Sequence, residues 1–208
     1  MKMISKRDFI LASAAVAGMA LAAPLAFAAV DIKVLNTPPA EGDMTMGPDT
    51  AKVTVIEYAS ATCPHCAAFY NDVFPALKKE YIDTGKIHFI FREFPHNDAA
   101  LAAFMVARCA PKEKYFPLVD VFFSTQPEWT KDPLAGLNKI AQQAGFTKES
   151  FDACLKNEAV AKNILEVRKT ADGLGVTGIP TFFVNGEMME SGEKTIEEMR
   201  KKIDPLLK

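Results

Sequence analysis

Positive charge is not in excess in this chain. It carries 24 Lys and Arg against 26 Asp and Glu, and no stretch concentrates basic residues into a patch that could track phosphates, so nucleic acid is not an expected partner. Histidine is scarce, with three in all, which leaves few soft ligands for a metal centre. Past the N-terminus there is no long apolar run, so the remaining chain is expected to be soluble. Internal repeats and low-complexity tracts are missing too. Cysteine is rare, with four residues, and the even count matters only once the compartment is known.

The N-terminus supplies that compartment. Lys2, Lys6 and Arg7 precede an apolar, Ala-rich stretch from Ile10 to Phe27, and Ala26-Phe27-Ala28 offers a small-x-small cleavage site. A membrane anchor would need about 20 apolar residues; here Gly18, Pro24 and the cleavage site favour a removed signal over residues 1–28. Ser5 to Ile10 is similar to a twin-arginine export motif with Lys6 in the first Arg position. Cleavage removes Lys2, Lys6, Arg7 and Asp8 and takes the balance from 24 against 26 to 21 against 25. The expected location is the periplasm, where disulfides persist.

Residues 29–50, with Thr37-Pro38-Pro39 and Gly47-Pro48, read as an extended arm. Val53 to Tyr58 is β-branched and mostly apolar, as a buried strand should be. Ala67 to Glu80 carries Phe69, Val73, Phe74 and Leu77 at helical spacing, with a kink predicted at Pro75, and Ile87 to Phe91 is a second buried strand. Strand, helix, strand implies parallel pairing with a right-handed crossover. Five helices follow, over Ala99–Cys109, Lys112–Phe123, Leu134–Ala144, Lys148–Leu155 and Val160–Ala171, with Gln126-Pro127 among the breaks between them. Thr181 to Val184 returns to strand, Asn185-Gly186 is a hairpin turn, Glu187 to Met189 pairs back, and Thr195 to Leu207 closes as a helix. The fold class is α/β: a βαβ unit over 51–96, an inserted helical subdomain over 97–172, and a ββα unit over 173–208.

Cys63-Pro64-His65-Cys66 falls where the first strand ends and its helix begins. Free N–H groups and the positive helix end face the Cys63 sulfur. Pro64 suits the first helical turn, and His65 adds partial or full positive charge. All three favour the Cys63 thiolate, hence the reduced form, which makes the disulfide oxidising. Cys66 lies deeper in the helix and is the expected resolving partner. A staple closing so short a loop would gain little. A zinc or copper site would need more ligands than His88, His96, Cys109 and Cys154 provide. Redox chemistry is the favoured reading. His65 then tunes the pair rather than acting as a general base, and His88 and His96 read as ordinary strand and loop residues. Met44, Met46, Met188 and Met189 fit apolar strand and loop positions better than copper ligands.

Two further elements stand apart. Pro180, in Thr177-Gly178-Ile179-Pro180-Thr181, sits at a strand mouth, either as an ordinary strand-start proline or as a tight cis bond; periodicity does not choose. Cys109 and Cys154 fall in amphipathic helices without a CxxC context. That favours a structural disulfide over free thiols or a second redox pair.

Glu57, the CPHC motif, the helical insertion and Gly178-Ile179-Pro180…Phe183-Val184-Asn185-Gly186 resemble the DsbA type of thioredoxin-fold protein over roughly residues 50–205. The resemblance implies a protein-disulfide oxidoreductase needing no cofactor and holding no metal. It implies a cis Pro180 facing Cys63, an Ile179 backbone that pairs with an extended substrate, and Glu57 as a buried acid serving Cys66. Its partners would be exported proteins with free cysteines, and a DsbB-type membrane protein would reoxidise it. Ile179 stands where DsbA oxidases usually carry Val and isomerases often Thr, so this position does not separate the directions. An isomerase or reductase is the nearest rival, and a non-enzymatic metal carrier a more distant one. The short arm favours a monomer and oxidation.

Overall fold

Alternation assigns each strand residue to one face of the sheet. In the computed structural model, which describes residues 30–208, the first long strand, β2 (Val53–Ala59), turns Val53 and Val55 to one hydrophobic core and Ile56 and Tyr58 to the other. Its parallel neighbour β3 (Ile87–Glu93) does the same, with Phe89 and Phe91 on the first face and Ile90 on the second. Residues buried on both faces explain why these strands read as near-continuous apolar runs. The signal assigned to residues 1–28 lies outside the described residues.

The full sheet order is β1 (Met44–Met46), β3, β2, β4 (Thr181–Val184), β5 (Glu187–Met188). Strand β4 pairs antiparallel with β2, placing Phe182 opposite Glu57, and β5 turns back on β4. Asn185 at the hairpin has φ 46°, a left-handed conformation that Asn tolerates.

The arm is more structured than its prolines suggest. A four-residue helix, α1 (Ile32–Leu35), is capped by the Asp31 carboxylate, and β1 (Met44–Met46) pairs antiparallel with β3. Three residues are too few to show alternation; this strand exists because the β3 edge was available. Arg92 locks it down, with the guanidinium on Asp43 at 2.8 and 3.0 Å and on the Leu35 carbonyl at 2.7 Å.

The helix after β2 runs as α2 (Pro64–Ala68), a π-helical turn (Phe69–Val73), α3 (Phe74–Leu77) and a second π-helical turn (Lys78–Ile82). The predicted kink at Pro75 is therefore a change of hydrogen-bond register, because π turns absorb the missing N–H and the ring clash. The insertion packs as α4 (Asp98–Cys109), α5 (Tyr115–Ser124), α6 (Gln126–Trp129), α7 (Pro133–Gln143), α8 (Lys148–Leu155) and α9 (Glu158–Gly173). Gln126-Pro127 does not break the chain but opens a short helix, since proline is tolerated in a first turn. Lys112–Lys114 forms a separate 3-10 turn ahead of α5, and α10 (Ile196–Ile203) closes the fold. Cys109 at the end of α4 is bonded to Cys154 in α8, with Cα atoms 6.0 Å apart. Among the described residues no helix is long and apolar enough to cross a membrane.

Candidate active site

Cys63 is the N-cap of α2, with extended backbone (φ −83°, ψ 120°), so its sulfur lies ahead of the first turn. The site places Cys63 and Cys66 together as free thiols. Cys63 is 6% exposed, at the floor of a groove, and Cys66 is wholly buried behind it. Pro64 and His65 stand exposed between them.

The two thiols ionise very differently. Cys63 is lowered from 9.0 to about 6, chiefly by a hydrogen bond from Cys66. Burial opposes this, while the main-chain N–H groups of Cys66 and His65, and finally the His65 charge, add to the lowering. The free N–H groups and His65 act in the predicted direction, but the partner thiol outweighs both. Cys66 is raised well above the ordinary thiol value, first by burial and then by its hydrogen bond to Cys63. One sulfur is thus built to be an anion and the other to hold a proton.

Opposite Cys63 lies the Ile179–Pro180 bond, which is cis. The Cys63 thiol donates to the Ile179 carbonyl at 3.6 Å. Thr181 braces this loop, its hydroxyl donating to the Gly178 carbonyl at 2.6 Å and lying 2.7 Å from Ser191 Oγ. A groove of about 550 Å³ runs past Cys63 and Ile179, walled by His96 and Arg168. A second cavity, of about 580 Å³, lies between the arm and α9 and does not reach the dithiol.

Glu57 points from β2 into the aromatic side of the core. It is fully buried, and neither carboxylate oxygen has a hydrogen-bond partner. Burial first, and then the negative charge of Cys63, push it well above the usual carboxylate range. The Tyr70 hydroxyl, in the same core, is also unpartnered. When ionised, Glu57 in turn raises Cys66, so the two groups lie close enough to couple.

Sequence reasoning missed two residues here. Gln126 is buried and donates to the Ala61 carbonyl at 2.9 Å and the Cys63 carbonyl at 3.1 Å, fixing the turn that presents the motif. Its position beside a proline made it look like a break, and only its later burial distinguishes it. Glu193 places Oε1 2.6 Å from His65 Nδ1; with the two 128 positions apart in sequence, nothing local could link them. His88 lies on β3, whereas His96 borders the groove and meets Ser60 Oγ at 2.8 Å.

A thioredoxin family model matches residues 39–205. A Rickettsia bellii protein named for protein-disulfide oxidoreductase activity is 34% identical over 177 residues, 79% of this chain and 68% of that protein. Its Rickettsia conorii counterpart, also 34% identical over 171 residues, is spanned over 61% of its length. Among solved structures, Wolbachia pipientis alpha-DsbA1 is 30% identical, with a TM-score of 0.76 covering 84% of this chain and 95% of that one. Matching geometry, sequence and fold lead to one conclusion: the chain belongs to the thioredoxin family, among the DsbA-type protein-disulfide oxidoreductases.

Proposed function

We propose that this protein works as an exported dithiol oxidase, passing a Cys63–Cys66 disulfide to proteins that reach the periplasm with free cysteines. A substrate thiolate attacks Cys63 Sγ; the Cys63–Cys66 bond breaks, and its electron pair leaves on Cys66. That thiolate is buried and takes up a proton, which the buried Glu57 would supply. A second substrate thiolate then attacks the substrate sulfur of the mixed disulfide, and Cys63 departs as an anion. Two electrons have moved from substrate to enzyme, and the substrate leaves with a new disulfide.

The observation that carries this reading is the asymmetry of the pair: Cys63 held at about 6 and Cys66 held high. A stable leaving thiolate pulls the exchange toward reduced enzyme. The Ile179 carbonyl beside Cys63 supports pairing with an extended substrate backbone, and Pro180 supports the turn that presents it. Cys109–Cys154 serves as a structural bridge. Reoxidation falls to a DsbB-type membrane partner, and the protein acts as a monomer.

Equilibration with glutathione buffers tests the direction. A strongly oxidising Cys63–Cys66 couple is expected, and Cys63→Ala should abolish oxidation of a reduced peptide. A weakly oxidising couple, or a dimer that reshuffles scrambled disulfides, would make the protein an isomerase or reductase instead.

A further inference from the structure

His65 is exposed, and an exposed imidazole beside a thiolate would ordinarily lose its charge near neutral pH. Here it is not left to itself. Its Nδ1 lies 2.6 Å from Glu193 Oε1. The loop that carries Glu193 is fastened to the loop of the cis proline: Gly192 N–H donates to the Pro180 carbonyl at 2.8 Å, and Ser191 meets Thr181. Lys194, only 8% exposed, donates to the carbonyls of Gly192 and Glu193 at 3.0 and 3.1 Å. A loop clamped in this way presents its carboxylate to one place, and His65 occupies it.

We propose that Glu193 is a positioning residue for the thiol chemistry, holding the His65 imidazole charged beside Cys63 and so extending the pH range over which the protein is a strong oxidant. The inference rests on the oxidase reading above. The ion pair itself adds little stability, since both side chains are more than half exposed. Its consequence lies in protonation. Glu193, through its hydrogen bond and then its charge, raises the His65 pKa, with the Cys63 thiolate adding to the effect. The groups facing His65 are thus Glu193 and Cys63, while the nearby Lys194 ammonium is turned to main-chain carbonyls. Reduction of the disulfide takes two electrons and one proton to leave a Cys63 thiolate and a Cys66 thiol. An imidazolium next to that thiolate favours the products. The benefit is present between the Cys63 value of about 6 and the raised His65 value: it fades below, where Cys63 itself takes up a proton, and disappears above, where His65 loses its charge, so Glu193 moves the upper loss upward.

The sign of the effect separates this role from simple repulsion. If Glu193 acted by its own charge on Cys63, removing it would strengthen the oxidant. If it acts through His65, removing it weakens the oxidant. Glu193→Gln should therefore shift the glutathione equilibrium about two- to fivefold toward the protein disulfide at about pH 7.5. The gap should close at about pH 5, where an ordinary imidazole is charged anyway. The His65 ring, followed by NMR, should titrate lower in Glu193→Gln. In a His65→Ala background, Glu193→Gln should not weaken the oxidant. An unchanged or stronger oxidant at neutral pH, or the same weakening without His65, would overturn the assignment. Should the wild type prove a poor oxidant, the oxidase reading fails, while the NMR titration still decides whether Glu193 governs His65.

Discussion

Glu57 and Glu93 sit on neighbouring parallel strands, two residues apart in register, and both are fully buried. Glu93 is surrounded by donors. Arg108 reaches its carboxylate through Nε at 2.5 Å and a second nitrogen at 2.9 Å, and the Tyr115 hydroxyl donates at 2.7 Å. Glu57 has none. The same core that can satisfy a carboxylate completely leaves the one beneath the dithiol bare. An unpartnered buried acid costs on the order of 1–3 kcal/mol, a cost that the proton-transfer role proposed for Glu57 would explain. Glu93, by contrast, anchors the insertion to the sheet.

The sharpest way to break this contrast is to strip Glu93 as well. Arg108→Ala leaves a buried carboxylate without its cation and should destabilise the fold by about 3–5 kcal/mol in denaturant unfolding. A loss below about 1 kcal/mol would mean that the two glutamates differ less than their partners suggest. Arg108 immediately precedes Cys109, so the disulfide to Cys154 secures the same corner. Replacing both Cys109 and Cys154 by Ala should cost about 4 kcal/mol by chain entropy alone. Neither change should move the Cys63–Cys66 glutathione equilibrium of the molecules that remain folded. A large shift there would show that the corner tunes the dithiol.

Glu57→Leu should act in the other direction, raising stability by roughly 1–3 kcal/mol at neutral pH. Its pH dependence fixes the cause. An acid whose pKa is raised by folding is protonated in both states below about pH 4.5, and its penalty grows as pH climbs from there toward the folded value. The gain should therefore be small near pH 4 and largest near neutrality. The same variant should slow thiol exchange at the step where Cys66 takes up its proton. A pH-independent gain with unchanged exchange would assign Glu57 to packing alone.

How much of this was readable beforehand follows from the range of each interaction. The βαβ and ββα units, the insertion and the reactive pair were legible, because hydrophobic periodicity and the strand-to-helix placement of CPHC are local signals. Glu57 was marked only by its place in an apolar run together with the family likeness; its lack of partners is a property of the packed core. Strand β1 was missed because three residues carry no pattern, and the π turns around Pro75 because register changes leave composition untouched. Gln126 and Glu193 reach the site across 63 and 128 residues. No window along the chain contains such contacts.

The last contrast concerns which neighbour lowers Cys63, where reasoning from the sequence emphasised the helix start and His65. In the structure the Cys66 thiol is the largest contributor and the His65 charge the last. Ultraviolet thiolate absorbance of the reduced protein should rise through about pH 6. Cys66→Ala removes a charge-assisted donor worth about 1.5–3 kcal/mol. It should cut the ionised fraction near pH 7 from about nine-tenths to about half or less. His65→Ala leaves that donor and the main-chain N–H groups in place, so its midpoint should move up by less than that of Cys66→Ala. The reverse order would make the exposed imidazole the main source of the anion's stability. Glu193, which governs that imidazole, would then matter more to the oxidant than the buried partner sulfur does.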